Sequence, residues 1–338
     1  MIPDLPQPGE VLADRFEVGE RLGDGGMAVV MRAIDRRTTR PVALKLLTPR
    51  YLGRPEREQR LLDEATYLDA LRGNPHIISL VDHGRLAGSH AWPYLATELL
   101  AGRALHWLLV DRRFTPNELH SLATQLARAL VACHARGIVH RDLTPANVFV
   151  DEASMQVTLF DFSHAGSNRS PRVPAGATGR LTGAHDIPGT DGYMSPEQAM
   201  AAPASEPMDV FAFGVVLYEL ITGRNPFPAS DRSRFIQGQR SGGIKVPRLD
   251  AWAYQLPEGW ADLIEACTAL EASERPTMTR VAAWLSELDR VTPPAPPASR
   301  VLGLRPASWP SSPALETTER LRETEVRRRQ AGLVAQPR

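Results

Sequence analysis

The chain has 338 residues, 43% of them hydrophobic, which is enough to bury a sizeable core in one large domain or two lobes. Its 39 basic residues are matched by 39 acidic ones, so the overall charge draws neither nucleic acid nor an anionic membrane. Only two cysteines occur, Cys133 and Cys267, each in an apolar stretch; they exclude a disulfide framework and read as buried thiols in a reducing cytoplasm.

The first residues, "MIPDLPQPGE", are Pro-rich and lack the basic-then-apolar pattern of a secretory signal, so residues 1–15 read as a flexible lead-in. Strand-like runs follow: "FEVGERL", "AVVMRAI", "PVALKLL" and "PYLATELL", interrupted by one helical segment around 56–71. After Gly102 the pattern turns helical. Over 116–136, Leu119, Leu122, Leu126, Ala129, Leu130 and Cys133 recur at helical spacing, and a second long helix is expected at 208–222. Strands first and helices later predict an α+β enzyme of two lobes, about 16–98 and 102–290. The longest apolar runs, "LHWLLV" and "GVVLYELI", fall short of the ~20 residues a membrane span needs. Residues 163–189 are rich in Gly, Pro, Ser and Thr, and a loop of that length inside a domain is usually functional. Residues 291–338 are Pro-rich and expected to be disordered, with a short helix through "ALETTERLRETEVRRRQ".

Several residues carry chemistry. In "RLGDGGMAVV", Gly23 and Gly25 would let a hairpin backbone approach a polyphosphate without a Cβ in the way, although Gly-rich turns are common without a ligand. In "PVALKLL", Ala43 and Lys45 share one strand face, which suits a cation reaching phosphates beneath a flat base or simply a solvated lysine. On the helix, Leu61, Glu64 and Leu68 align, so Glu64 borders the apolar face and needs a cation such as Lys45 unless it is exposed. "HRDLTPANVFV" packs His140, Arg141, Asp142 and Asn147 into eight positions, with an Asp to orient a hydroxyl and an Asn to hold a metal. "VTLFDFSHAG" ends a short strand in Asp161, a second hard oxygen ligand of the kind Mg²⁺ prefers.

In this order the motifs resemble the eukaryotic-type Ser/Thr protein kinases of bacteria over residues 16–288: Gly-rich loop, "VALK", helix Glu, "HRDLTPAN", "DFS", "GTDGYMSPE", "PMDVFAFG" and "SERPTM". The resemblance implies a two-lobed protein kinase fold, with a small N-terminal lobe of antiparallel sheet plus one helix. It also implies transfer of the ATP γ-phosphoryl group to Ser/Thr hydroxyls of protein substrates, using Mg²⁺ or Mn²⁺. Lys45 would contact phosphates and pair with Glu64. Leu22, Gly23, Gly25, Val30, Ala43 and Phe149 would enclose the nucleotide. The backbone of Glu98 and Leu100 would bind the adenine edge behind Thr97. Asp142 would accept the hydroxyl proton, and Asn147 and Asp161 would bind the metal. Thr190 marks Ser/Thr specificity, Glu197 would pair with Arg275, and Asp209 would brace the catalytic loop.

Three positions depart from the pattern: Ala28 for the third loop glycine, Ser163 for the glycine after Asp161–Phe162, and Thr144 for the catalytic-loop lysine. Ser163 restricts positive φ. Thr144 matters most, because losing one donor at a developing anionic centre typically costs ~10²–10³ in rate. Ala146 offers no substitute, although Thr144 could hydrogen-bond Asp142 or Thr190. The alternative reading is therefore a nucleotide-binding pseudokinase scaffold. A small-molecule phosphotransferase of the aminoglycoside-kinase type would lack "GTDGYMSPE". Arg141 before Asp142 implies control by autophosphorylation of the activation loop, at Ser167, Ser170, Thr178 or Thr182, amid Arg169, Arg172 and Arg180. With no membrane span, the input is expected from soluble partners; the tail could dock one through Trp309 or Arg327, Arg328 and Arg329, or be simply a solvated, disordered segment.

Overall fold

Alternation of apolar and polar residues from Phe16 onward builds a six-stranded sheet. The computed structural model describes residues 5–24, 27–86, 92–168, 189–227 and 232–288. The first strands are β1 (Val11–Leu12), β2 (Phe16–Asp24), β3 (Ala28–Asp35) and β4 (Arg40–Leu47). Helix α1 (Pro55–Ala70) follows, then β5 (Leu80–Arg85) and β6 (Pro93–Glu98). The sheet order is β1-β2-β3-β4-β6-β5, antiparallel throughout. Part of the expected lead-in is thus built into the sheet. β1 adds to the β2 edge, where Gly9 N–H donates to Val18 O and Val18 N–H to Glu10 O, both at 2.8 Å. The α1 helix starts on Pro55 at its first turn and lays Leu61, Glu64, Ala65 and Leu68 against the sheet.

The rest is mostly helical: β7 (Arg103–Ala104), α2 (Leu105–Asp111), α3 (Pro116–Ala135), β8 (Ile138–Val139), β9 (Val148–Asp151), β10 (Gln156–Leu159) and β11 (Gly166–Ser167). Then come α4 (Pro196–Ala199), α5 (Glu206–Thr222), α6 (Arg232–Arg240), α7 (Gly259–Cys267) and α8 (Met278–Leu288). Short antiparallel ladders β10-β9-β7 and β11-β8 hold the loops that carry the site. Gly102, at φ +97°, ends the link out of β6; a Cβ there would lie 2.2 Å from Val150 O, so only glycine lets this link close onto β9.

Helix α3 runs through the core of this part, with Leu122, Leu126, Ala129 and Leu130 almost fully buried. Its start is fixed by a reciprocal cap. Thr115 Oγ1 accepts from Glu118 N–H at 3.3 Å, and Glu118 Oε2 accepts from Thr115 N–H at 2.8 Å. Thr115→Ala removes half of this cap and is expected to cost about 1 kcal/mol, read as a lowered urea midpoint; an unchanged midpoint would show that the N-terminal turn frays without consequence. Helix α5 is buried nearly all round, from Met208 to Thr222, which explains why its apolar pattern is continuous rather than striped. Among the described residues no helix is long and apolar enough to cross a membrane. The activation-loop residues 169–188 and the tail 291–338, with Gly25, lie outside the described residues.

Candidate active site

The alternating face of β4 carries the first cation. Register places Val30 opposite Lys45 and Ala43 opposite Thr97, so Val30, Ala43, Lys45 and Thr97 project from one side of the sheet. Lys45 Nζ lies 3.0 and 2.9 Å from the two Glu64 oxygens and 2.8 Å from Asp161 Oδ1. Glu64 is 3% exposed, so its charge is matched by Lys45 rather than by water. Burial opposes the Lys45 charge, but Asp161 and Glu64 outweigh it and hold the ammonium well above its usual range. Burial likewise opposes ionisation of Asp161, yet Lys45 keeps its carboxyl well below the usual range. All three groups meet across a sequence separation of 116 residues.

The second half of the site is the loop after β8. Asp209, fully buried near the start of α5, accepts the N–H groups of His140 and Arg141, each at 2.8 Å, while His134 Nε2 stands 2.9 Å from its Oδ2. These bonds hold Arg141 at φ +63°, a left-handed conformation costly for a non-glycine residue. Asp142 follows, 9% exposed. Its Oδ1 accepts the Thr190 hydroxyl at 2.7 Å and its Oδ2 the Asn147 amide at 3.0 Å. Asn147 Nδ2 also donates to Asp142 O at 2.8 Å, which leaves its amide oxygen without a hydrogen bond among the described residues.

Thr144 does not act as expected. Its hydroxyl accepts from Ala146 N–H at 3.2 Å and caps the short 3₁₀ turn Pro145–Asn147, with no hydrogen bond to Asp142 or Thr190 among the described residues. The turn leaves an orphan N–H within reach, and a hydroxyl two residues upstream satisfies it locally. Thr190 reaches Asp142 directly instead. Ser163 is also relaxed, since the positive φ of this segment falls on Asp161 at +62°, a residue type that tolerates it.

Residues 16–284 match the protein kinase domain family. The chain belongs to that family. It is 33% identical over 271 residues to serine/threonine-protein kinase PknL of Mycobacterium tuberculosis, covering 80% of this chain and 64% of PknL. It is 35% identical over 219 residues to the probable serine/threonine-protein kinase PknB of Corynebacterium glutamicum, covering 64% of this chain and 33% of that protein. Against pkn2 of Myxococcus xanthus it is 33% identical over 270 residues, 79% of this chain and 31% of the relative. The chain therefore spans less than two thirds of the length of each of these relatives. Its fold is the two-lobed kinase fold: a small sheet with one helix, and a helical lobe.

The remaining candidates differ in exposure. Leu22 is 44% exposed on β2, and a Cβ added at Gly23 would meet nothing within 4 Å, so the turn leaves open space above the sheet. Phe149 is half-buried on β9, edge-on to Phe160 at 5.4 Å between ring centroids. Glu98 N–H is committed to Ser79 O at 3.0 Å, so any backbone contribution of Glu98 to a ligand falls to its carbonyl. Leu100, two residues on, is half-buried.

The donor set also fits Mg²⁺. Lys45 and the Ser163 N–H both address Asp161 Oδ1, and Oδ2 takes no hydrogen bond among the described residues. That oxygen and the Asn147 amide oxygen are hard ligands, and Mg²⁺ characteristically adds substrate phosphates to one or two such groups.

Behind the start of α4, Arg275 and Glu197 form the expected bidentate pair, at 2.7 and 3.0 Å. Sequence reasoning missed three features: His164, whose Nδ1 lies 3.6 Å from Asp142 Oδ2; Gln198, which donates to Arg141 O at 2.6 Å; and Arg60 of α1, whose charge bears on both Arg141 and His164. The vacancy of positive charge at Thr144 was the available signal for His164.

Proposed function

We propose that this chain is a Mg²⁺-dependent serine/threonine protein kinase, with lobes at 16–98 and 102–290, acting in the cytoplasm. The observation that carries the reading is the junction of Lys45 with Glu64 and Asp161, all within 3.0 Å. It aligns the phosphate-binding cation with the metal-binding carboxylate, which positioning-dominated phosphoryl transfer requires. ATP would lie between Leu22, Gly23, Gly25, Val30 and Ala43 above and Phe149 below, with its adenine edge on Glu98 and Leu100. Asn147 and Asp161 would hold Mg²⁺, for which Mn²⁺ is a chemical substitute, and a bound ion would supply neutralisation of phosphate charge.

In the reaction, a substrate Ser or Thr hydroxyl oxygen forms a bond to the γ-phosphorus. The bond from that phosphorus to the β,γ-bridging oxygen breaks, and ADP leaves with the electron pair. Asp142, 9% exposed and oriented by Thr190 and Asn147, accepts the hydroxyl proton. Thr190 beside Asp142 favours a short aliphatic hydroxyl over a phenol.

Regulation by loop phosphorylation is supported by Arg141. Burial lowers its guanidinium pKa, Arg60 adds to that against the pull of Asp209, and Nε is buried without a hydrogen-bond partner among the described residues. A phosphate would supply that partner. Soluble proteins docking on the tail are the proposed regulators.

The test is transfer from γ-labelled ATP by the purified chain, before and after phosphatase treatment, with phosphoamino acid analysis. Label on Ser or Thr, dependent on Mg²⁺ and lost in Lys45→Met, is the expected result. ATP binding without transfer would make the chain a pseudokinase. Full activity after phosphatase treatment would remove the regulatory role of Arg141.

A further inference from the structure

The structure places an imidazole beside the Asp142 carboxylate. His164 Nδ1 stands 3.6 Å from Asp142 Oδ2 and 3.3 Å from Ser163 Oγ. Its side chain is 28% exposed, and that of Asp142 is 10% exposed. Neither Thr144, which caps its own turn, nor Ala146, which has no polar side-chain group, supplies a donor to this carboxylate.

Burial pushes the His164 ring below its ordinary value, with Arg60 and His140 acting the same way and Asp142 and Asp161 opposing. Burial thus favours the neutral ring, in which a single nitrogen carries the proton. A carboxylate near Nδ1 selects the tautomer that carries its proton there.

We propose that His164 is a positioning residue that takes over, in part, the role of a lysine at position 144: its Nδ1–H steadies Asp142 Oδ2 beside the Asn147 amide, which already donates to that oxygen at 3.0 Å, while Thr190 holds Oδ1. This rests on the kinase reading above. The physical need is specific. ATP brings phosphate charge toward an Asp142 carboxylate that has no cation beside it, so like charges would push the carboxylate off line with the hydroxyl. A donor on Oδ2 opposes that displacement. Its distance of 3.6 Å lies just beyond a hydrogen bond, so a small closure of the segment on substrate binding would complete it.

The test compares kcat and KM for ATP in wild type, His164→Phe, His164→Asn, Thr144→Lys and the double variant His164→Phe/Thr144→Lys, with melting temperatures as a folding control. His164→Phe is expected to lose roughly 10-fold to 100-fold in kcat, with KM for ATP held within about twofold. His164→Asn, which can place an amide N–H near the Nδ1 position, is expected to keep most of the wild-type kcat. Thr144→Lys is expected to raise kcat by a larger factor in His164→Phe than in wild type, because lysine and histidine serve the same carboxylate.

A wild-type kcat in His164→Phe overturns the proposal. So does an equal gain from Thr144→Lys in both backgrounds, which would make the His164 effect merely structural. If the wild type itself transfers no phosphate, the kinase reading fails and the proposal fails with it; an active wild type with an indifferent His164 sinks this proposal alone.

Discussion

Asp142→Asn is expected to lower kcat by about 10²–10⁴, the typical contribution of a positioned general base, or about 2.7–5.4 kcal/mol of barrier at 1.36 kcal/mol per decade. The substitution is nearly isosteric, and its neighbours can accept it. With the amide oxygen toward Asn147 Nδ2, the new NH₂ faces the Thr190 hydroxyl, which can accept as readily as it donates. What disappears is the capacity to take a proton. ATP affinity should stay near wild type, because Lys45, Glu64 and Asp161 are untouched. Single-turnover transfer alongside nucleotide-binding titration separates the two. A kcat within about threefold of wild type would move the base elsewhere.

Arg275→Ala is expected to destabilise the protein by about 3–5 kcal/mol, the scale for removing one partner of a buried ion pair. The guanidinium side chain is 0% exposed, and all five of its N–H donors are used. Nη1 reaches Glu197 Oε1 and Pro207 O, Nη2 reaches Glu197 Oε2 and Leu270 O, and Nε reaches Ala269 O. Phe211 lies under the same group, 5.0 Å from its ring centroid. Alanine would strand the Glu197 carboxylate and three carbonyls together. Lysine should rescue little, since a single ammonium cannot match a planar fork to two carboxylate oxygens and three carbonyls. The effect is read as a fall in urea midpoint at unchanged slope. A shift below about 1 kcal/mol, the range of an exposed pair, would show that water replaces the fork.

Much of this was legible in the residues. The strands holding Val30, Ala43 and Lys45 and the helix holding Glu64 have clear periods, and the expected helix over 56–71 is α1 at Pro55–Ala70. The strand β5 was not legible. Its residues, "LVDHGR", run along a sheet edge with only Leu80 buried, and a register shift between Leu80 and Asp82 breaks the alternation. Helix α4 is four residues long, too short for any period to register.

The site divides in the same way. Asp142 and Asn147 are neighbours in sequence, so their pairing follows from a local turn. His164 is separated from Asp142 by two strands and a sharp bend at Asp161, and nothing in "DFSHAG" says which way the ring points. Thr144 was misread for the opposite reason. Local backbone demand, an unpaired N–H two residues away, claimed its hydroxyl before the more distant carboxylate could.

The left-handed Arg141 has one more consequence. Residues 140–141 do not set their own backbone turn; the carboxylate of Asp209, more than sixty positions downstream, holds it through two amides. A designer who grafted this segment onto another scaffold would transplant the letters and lose the geometry. The smallest portable unit is the loop together with the first turn of α5 that holds it in place.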